Sequence, residues 1–339
     1  MTLYAAIDLH ATNNVLVVID DNDALVYKPK RLPNDPAVVL EQLAPFKPQL
    51  KAVAVESTFN WYWLGDALQA QGYELALVHT PAVKQYEGLK HGDDDSDAFH
   101  LAQLMRLGIL PTGHVCPHPV RELRDAMRRR EALVQQGTKC VLSLQSMYAR
   151  ILAMRPAIEA LDEDAITKAF PRAGDRHAAL ALWAVRCEIR KQAAQLDRWI
   201  VSELKQHSKL TLSKICAIPG IGVVLGPMIL LETGPITRFA AVGNYASYCR
   251  MVDTRRLSND KRKGRGNRKS GNGHLCWAYI EAATFAVRYD PTIRRWFDRK
   301  LSQVKLRVIA IKAVAHKLAR AVYFMLRDDK PFDVDRAFH

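Results

Sequence analysis

Four carboxylates and one serine are the residues of this chain best placed to do chemistry. Asp8 stands in the apolar run Tyr4-Ala-Ala-Ile-Asp8-Leu, and Glu56 closes a second one, Val53-Ala-Val-Glu56. Asp94 and Asp97 open a helix-like segment. Ser258 lies far downstream among Arg255, Arg256, Lys261, Arg262, Lys263 and Arg265, with Arg268 and Lys269 close behind. Converging carboxylates hold a divalent ion against a phosphate. Cations bind the phosphate backbone, and a serine hydroxyl is a nucleophile once it is activated. The combination points to cutting and rejoining of DNA rather than to simple hydrolysis.

Each group also has a plain structural explanation. An Asp at a strand end, as Asp8 would be, is usually structural. The run Asp93-Asp94-Asp95 with Asp97 reads equally well as an N-cap and first helical turn. Glu56 is different, because an inward-facing carboxylate after three apolar residues is costly without a partner. Oxygen ligands of this kind suit magnesium, with manganese as the other choice. Ser258 has no base beside it in the sequence, and catalysis needs about 8–23 kcal/mol of barrier lowering that no isolated serine supplies. Ser270 is the competing serine, but Ser270-Gly271-Asn272 reads as a turn before a helix.

The elements that must position these groups are legible as far as about residue 110. Short β-like runs at Tyr4–His10, Asn14–Ile19 and Ala24–Tyr27 predict an antiparallel meander. A helix from Pro36 to Ala44, a strand from Ala52 to Val55, a helix over Trp61–Gln71 and a strand over Glu74–Val78 follow. That order predicts an α/β domain, a mixed sheet with helices packed on it. Asp8 and Glu56 would then lie on strands, and neighbouring strands are about 4.8 Å apart. Asp94 and Asp97 share a helix face near its N-terminus, where the helix dipole favours them.

From about Pro119 to His207 the pattern is helical. Leu123, Met127, Val134, Val141, Leu144, Tyr148 and Ile151 form one stripe, with Arg130 and Gly137 as breaks. Leu182, Ile189, Ala193, Leu196, Ile200 and Leu204 form another. Two helices joined near Pro156–Ala173 would make an antiparallel coiled-coil arm, or two ordinary helices packing within a domain. Arg128-Arg129-Arg130 and Lys139 offer cations to nucleic acid, although such a run is more often a solvated face.

The remainder reads as a compact helical domain interrupted by the basic, nearly apolar-free loop Thr254–Asn272, flexible if left alone, and ending in a helix from Pro291 to Arg327 and a short tail from Lys330. Ile215-Cys-Ala-Ile-Pro219-Gly220-Ile-Gly222 before an apolar helix has a helix-hairpin-helix pattern. Gly220 and Gly222 would bring backbone N–H groups near phosphate, or simply make a tight helical hairpin. The expected domains are 1–112 (metal-binding), 113–209 (helical arm) and 210–339 (serine-bearing).

Composition narrows the partners. The chain has 339 residues, 49% of them hydrophobic, and a net charge of +14, with an isoelectric point near 9.6. Such a balance favours phosphate polymers. No apolar run approaches the roughly 18 residues of a spanning helix, so a membrane partner is not expected. No signal peptide is expected, since Asp8 and His10 interrupt the first apolar stretch, and the six scattered cysteines, without a CxxC pair, read as reduced residues of a cytoplasmic protein.

Taken together, these motifs resemble the DEDD transposases of insertion sequences, the IS one-ten family, which includes the Piv-type invertases; the acid placement resembles the RNase H-like fold of RuvC-type resolvases. The resemblance rests on Ala6-Ile-Asp8-Leu, on Val55-Glu56-Ser-Thr with Trp61-Tyr-Trp63, on His79-Thr80-Pro81, and on Asp94-Asp-Ser-Asp97-Ala98 with Leu101-Ala102. Downstream it continues through Pro219-Gly220, Phe239, Tyr245, Tyr248, Ser258 and Ser270-Gly271-Asn272. It departs at Gly92-Asp93, where a Lys and a small hydroxyl residue usually stand, at Asn259, which replaces the usual Gly, and at Cys276, where Arg is usual. The resemblance implies that Asp8, Glu56, Asp94 and Asp97 bind magnesium and that Ser258 is the nucleophile. It also implies a bridge RNA from the same element that pairs with donor and target DNA, an assembly of two or four copies, and a nucleoid-associated bacterial protein. Two other readings remain open on the residues alone: a RuvC-like endonuclease using metal-activated water, and a non-catalytic nucleic-acid-binding protein.

Overall fold

The computed structural model describes residues 1–83, 86, 94–252, 255–258, 261–265 and 270–339, with backbone alone at 94, 95, 207, 255–258 and 261–265. The described chain forms two compact units, Met1–His118 and Pro119–His339.

The first unit is built on a five-stranded sheet of order β3-β2-β1-β4-β5. Strands β1 (Leu3–Leu9), β2 (Asn13–Ile19) and β3 (Leu25–Pro33) form the expected antiparallel meander. Helix α1 (Pro36–Leu43) starts with Asp35 accepting from the Ala37 N–H at 2.8 Å and with Pro36 at its first position. A short 3₁₀ turn leads to β4 (Leu50–Glu56), then to α2 (Tyr62–Ala70), β5 (Leu75–Val78), the single turn α3 (Thr80–Val83) and α4 (Asp94–Arg106). β4 runs parallel to β1, and β5 parallel to β4.

Alternation along the strands sorts the core into two faces. Leu3, Ala5, Ile7 and Leu9 of β1 join Val53 and Val55 of β4 in a cluster with residues of α1 and α2. Tyr4 and Ala6 join Ala52 and Ala54 in a second cluster with Ala98, Leu101, Ala102 and Met105 of α4. β3 extends beyond its expected end at Tyr27. It includes Pro29, which an edge strand tolerates because an outward-facing position needs no donor.

Among the described residues the second unit is helical apart from one hairpin. α5 (His118–Leu152), the short α6 (Glu163–Ala169) and α7 (Ala173–Cys216), kinked at Ser208, come first. Along α5, Arg130 pairs with Asp197, Gly137 faces Ile189, and Leu144 and Tyr148 share a cluster with Ala179 and Trp183. Partner numbers fall along α7 as they rise along α5, so the two helices are antiparallel. Arg130 and Gly137, the two interruptions of the apolar stripe, lie inside α5. Gly137 is buried because α7 approaches closely there: a Cβ would stand 3.2 Å from Ile189 Cγ2.

Then come α8 (Leu225–Thr233), α9 (Val242–Tyr248), the hairpin β6 (Arg255–Ser258) and β7 (Lys261–Arg265), α10 (Gly273–Tyr289), α11 (Pro291–Val304), α12 (Arg307–Asp328) and α13 (Val334–Phe338). Two expectations are corrected. The segment read as a loop contains an antiparallel pair, since a ladder of backbone hydrogen bonds needs no apolar side chains. The single terminal helix is two helices, because Lys305 takes φ 57° and caps α11 so that α12 can fold back along it. The tail beyond Lys330 carries α13, whose Phe338 is buried.

Candidate active site and nucleic-acid interface

The parallel strands β1, β4 and β5 end on one edge of the sheet. Ile7 pairs with Val55, so Asp8 and Glu56 follow side by side, and Glu56 pairs with Val78 of β5. Alternation puts both acids on the face that α4 covers, since Ala6 and Ala54 on that face contact Ala98 and Leu101. Asp8 is only 4% exposed, whereas Glu56 is half-buried. On α4, the sheet-facing residues Ala98, Leu101, Ala102 and Met105 define the stripe to which positions 94 and 97 belong by helical spacing. Asp97 therefore enters the sheet-facing side of the helix at its amino end. The other end of α4 is anchored by Arg106, whose Nε and Nη2 donate to the two carboxylate oxygens of Asp23 at 2.6 and 2.8 Å.

His10, Asn34 and Asn60 at this edge were not singled out by sequence reasoning. His10 Nε2 stands 3.4 Å from Asp8 Oδ2. Asn34 and Asn60 both donate side-chain N–H groups to the His10 carbonyl, at 3.0 and 2.9 Å. Ser57 and Thr80 bring their hydroxyls within 3.5 Å of each other, which ties the chain after Glu56 to the His79-Thr80-Pro81 segment. The available signal was strand periodicity, because His10 falls two residues past Asp8 on the same side. The donors brought to this edge are carboxylate oxygens, which fits magnesium or manganese by ligand chemistry. Among the described residues no three acid, His or Cys side chains form a group able to hold an ion. Asp94 is placed by its backbone only, and Asp93 lies outside the described residues.

The serine lies in the other unit. Ser258 closes β6 and pairs with Lys261 of β7; Arg255 pairs with Arg265, and Leu257 with Arg262. The hairpin thus concentrates Arg255, Arg256, Lys261, Arg262, Lys263 and Arg265 on one short ribbon. Their side chains are outside the description, as are Asn259, Arg268 and Lys269 altogether.

The base of this ribbon is held tightly. The Asn272 N–H donates to Tyr248 O at 2.6 Å, and Arg250 donates to Gly271 O through Nε and Nη2 at 3.1 and 2.8 Å. Asn272 then caps α10, accepting from the Leu275 N–H at 3.0 Å. Its amide donates to Glu232 Oε2 at 2.6 Å, while Arg128 grips the same carboxylate through Nε and Nη2 at 2.6 and 2.8 Å. Burial would push the Glu232 carboxyl up, but hydrogen bonds and charge from Arg128, with the Asn272 amide, outweigh it and hold it below the usual range. Beside it Glu131 meets His274 Nδ1. Arg128 and Arg130, read as solvent-facing or DNA-facing cations, are therefore engaged within the unit.

Of the two hairpin glycines, Gly220 has φ 84°, and a Cβ there would lie 2.2 Å from Ala282 O and 2.6 Å from Ala286 N. Close packing against α10 accounts for it. Gly222 is exposed, with open space where its Cβ would be. All six cysteines are free thiols, and among the described residues no helix is long and apolar enough to cross a membrane.

Comparison with known proteins agrees across both units. Residues 5–152 match the DEDD-type IS110 model described as Transposase, and residues 212–298 match the model described as Transposase IS116/IS110/IS902 family. The chain is also 25% identical to the Insertion element IS900 uncharacterized 42 kDa protein of Mycobacterium paratuberculosis, over 96% of each chain. With both halves matched in order, the chain belongs to the IS110 family of insertion-sequence transposases.

Proposed function

We propose that this transposase is an RNA-guided DNA recombinase that mobilises its own insertion sequence, with Asp8, Glu56, Asp94 and Asp97 as the metal-binding half of the active site and Ser258 as its nucleophile. The observation that carries the reading is the side-by-side placement of Asp8 and Glu56 at the ends of β1 and β4, on the face covered by the helix bearing Asp94 and Asp97. The mixed sheet of the first unit is compatible with the RNase H-like, RuvC-type fold that we assign to it. Bound magnesium, or manganese, supplies stabilisation of the charge that develops on the phosphate.

Ser258 Oγ attacks the phosphorus of the scissile linkage, and the displaced sugar oxygen leaves with a proton. The cut end stays joined to the protein as a phosphoserine ester. A sugar hydroxyl of the new partner strand then attacks the same phosphorus, and Ser258 leaves and recovers its proton. One phosphoester bond forms and one breaks in each step, so no outside energy source is required. This balance is the chemical reason for pairing acids that would suffice for hydrolysis with a serine. The cations of the β6–β7 ribbon contact phosphates, which position a strand without reading it. Family resemblance supports assigning sequence selection to a bridge RNA that pairs with donor and target DNA. Exchange between two duplexes calls for a dimer or tetramer, with α5 and α7 as the surface for assembly.

The test incubates the protein with magnesium, RNA from the element's end and labelled donor and target DNA, then separates products on a denaturing protein gel. A labelled DNA–protein band that disappears in Ser258→Ala is the expected result. Free cleavage products from both proteins would replace this reading with a hydrolytic nuclease.

A further inference from the structure

The link between Glu56 and α2 carries a residue that neither the core nor the acids use. Phe59 is 85% exposed, although Trp61 two positions on is only 8% exposed. A lone exposed apolar side chain is ordinary on a protein surface. Phe59 is distinguished by its position and by how firmly its backbone is held. It follows Glu56 by three residues, at the strand edge where Asp8 and Glu56 stand together. Thr58 Oγ1 donates to Asn60 Oδ1 at 2.9 Å, and Asn60 Nδ2 donates to His10 O at 2.9 Å. The residues on either side of Phe59 are thus hydrogen-bonded to each other and to the chain just beyond Asp8. On the far side, Trp61 and Tyr62 pack edge to face with ring centroids 4.8 Å apart, which fixes the start of α2. The turn holds an aromatic ring out in water beside a candidate phosphate site.

We propose that Phe59 is a stacking platform for an unpaired nucleobase of the DNA strand whose phosphate is bound at the Asp8–Glu56 edge. This inference rests on the reading of that edge as the place of strand cleavage. Stacking is the appropriate recognition chemistry there because every base has a π-face, so a ring on a rigid turn supports any sequence that a guide selects. A base adjacent to the cut must leave its partner for the strands to exchange, and an exposed ring compensates for the stacking it loses.

The test compares the full-length protein with Phe59→Ala, Phe59→Leu and Phe59→Trp, using fluorescein-labelled single-stranded DNA, the same sequence as RNA, and duplex DNA. Thermal melting first verifies that the variants fold as the wild type does, which the exposure of Phe59 predicts. Stacking on one base should make Phe59→Ala bind single-stranded DNA about 5- to 150-fold more weakly. Phe59→Leu should lose nearly as much, Phe59→Trp should bind like wild type, and duplex binding should hardly change. Crosslinking of an oligonucleotide containing 5-iododeoxyuridine should map to Phe59 and vanish in Phe59→Leu. Equal single-strand binding by wild type and Phe59→Ala, or equal losses on single strand and duplex, would overturn the stacking role while leaving the cleavage reading intact. A loss confined to RNA would overturn the assignment to DNA. Failure of the wild type to bind any of the three would sink the cleavage reading, and this inference with it.

Discussion

Arg128 and Glu232 form an ion pair whose two ends differ sharply in exposure, and that difference predicts which substitution hurts more. The Glu232 side chain is 1% exposed, whereas that of Arg128 is 36% exposed. Arg128→Ala leaves a buried carboxylate to the Asn272 amide, its other side-chain donor among the described residues, and losing one partner of a buried pair costs about 3–5 kcal/mol. Glu232→Gln keeps an oxygen for Asn272 and leaves a guanidinium that already reaches water, so its cost should be near the 1.5–3 kcal/mol of a hydrogen bond to a charged group. At roughly 2–4 °C per kcal/mol for a unit of this size, the melting point should fall by about 6–20 °C in Arg128→Ala and by about 3–12 °C in Glu232→Gln. The variants also differ in pH dependence. In the wild type the Glu232 carboxyl is held below its usual range, so its contribution is complete above the ordinary glutamate pKa and is lost as pH falls through the depressed value. In Arg128→Ala the burial effect prevails and the carboxyl moves up, so the folded variant binds a proton more readily than the unfolded chain and gains relative stability on acidification. Melting curves by circular dichroism between about pH 7 and about pH 4 should therefore show the gap between wild type and Arg128→Ala narrowing. A gap that stays constant across that range, or a Glu232→Gln variant less stable than Arg128→Ala, would refute the reasoning.

If the acids hold an ion, magnesium should raise the melting point of the wild type with no nucleic acid present, by the equivalent of about 2.7 kcal/mol at a hundred times the dissociation constant. Asp8→Asn should abolish that shift. At the hairpin, Gly220→Ala should destabilise the second unit by about 2–5 kcal/mol, because it combines a left-handed backbone with a collision against α10. Gly222→Ala should leave the melting point nearly unchanged, and if it weakens DNA binding as measured by anisotropy, the backbone of this turn meets phosphate.

Most of the first unit could be read from local pattern. The runs around Ala6, Val17 and Ala54 are apolar on both sides because their strands are covered on both faces. β3 runs on past Tyr27 because the Pro29 within it is tolerated on an edge strand, a position that local pattern alone does not reveal. In the second unit local pattern failed wherever a distant element decided the outcome. Gly137 looks like a mere gap in the apolar stripe until α7 lies against it, and Lys305 gives no hint of a left-handed cap. The buried polar cluster was out of reach of any spacing rule, since Arg128 lies 104 residues from Glu232 and Glu131 lies 143 from His274. The acids stood out for the opposite reason. A carboxylate inside an apolar run conflicts with its surroundings, and such conflicts mark function. A serine among cations conflicts with nothing, so only family resemblance singled out Ser258.

That contrast carries over into how the proposed metal-binding acids and the proposed nucleophile are each positioned. Asp8 and Glu56 inherit their places from strands whose register a packed core enforces on both faces. Ser258 sits on a two-stranded ribbon, and such a ribbon is marginal by itself. Near the ends of the segment that carries it, Gly271 occupies a position where any side chain would be strained. Gly271 has φ 84°, and a Cβ there would stand 2.6 Å from Tyr248 O, the carbonyl that accepts from Asn272 N–H. Gly271→Ala should push the two sides of the base apart and loosen the serine while leaving the acids alone. The expected outcome is loss of the covalent DNA–protein product together with a magnesium-induced melting shift equal to that of the wild type. Full adduct formation by Gly271→Ala would show that Ser258 is positioned by something other than the base of its own hairpin.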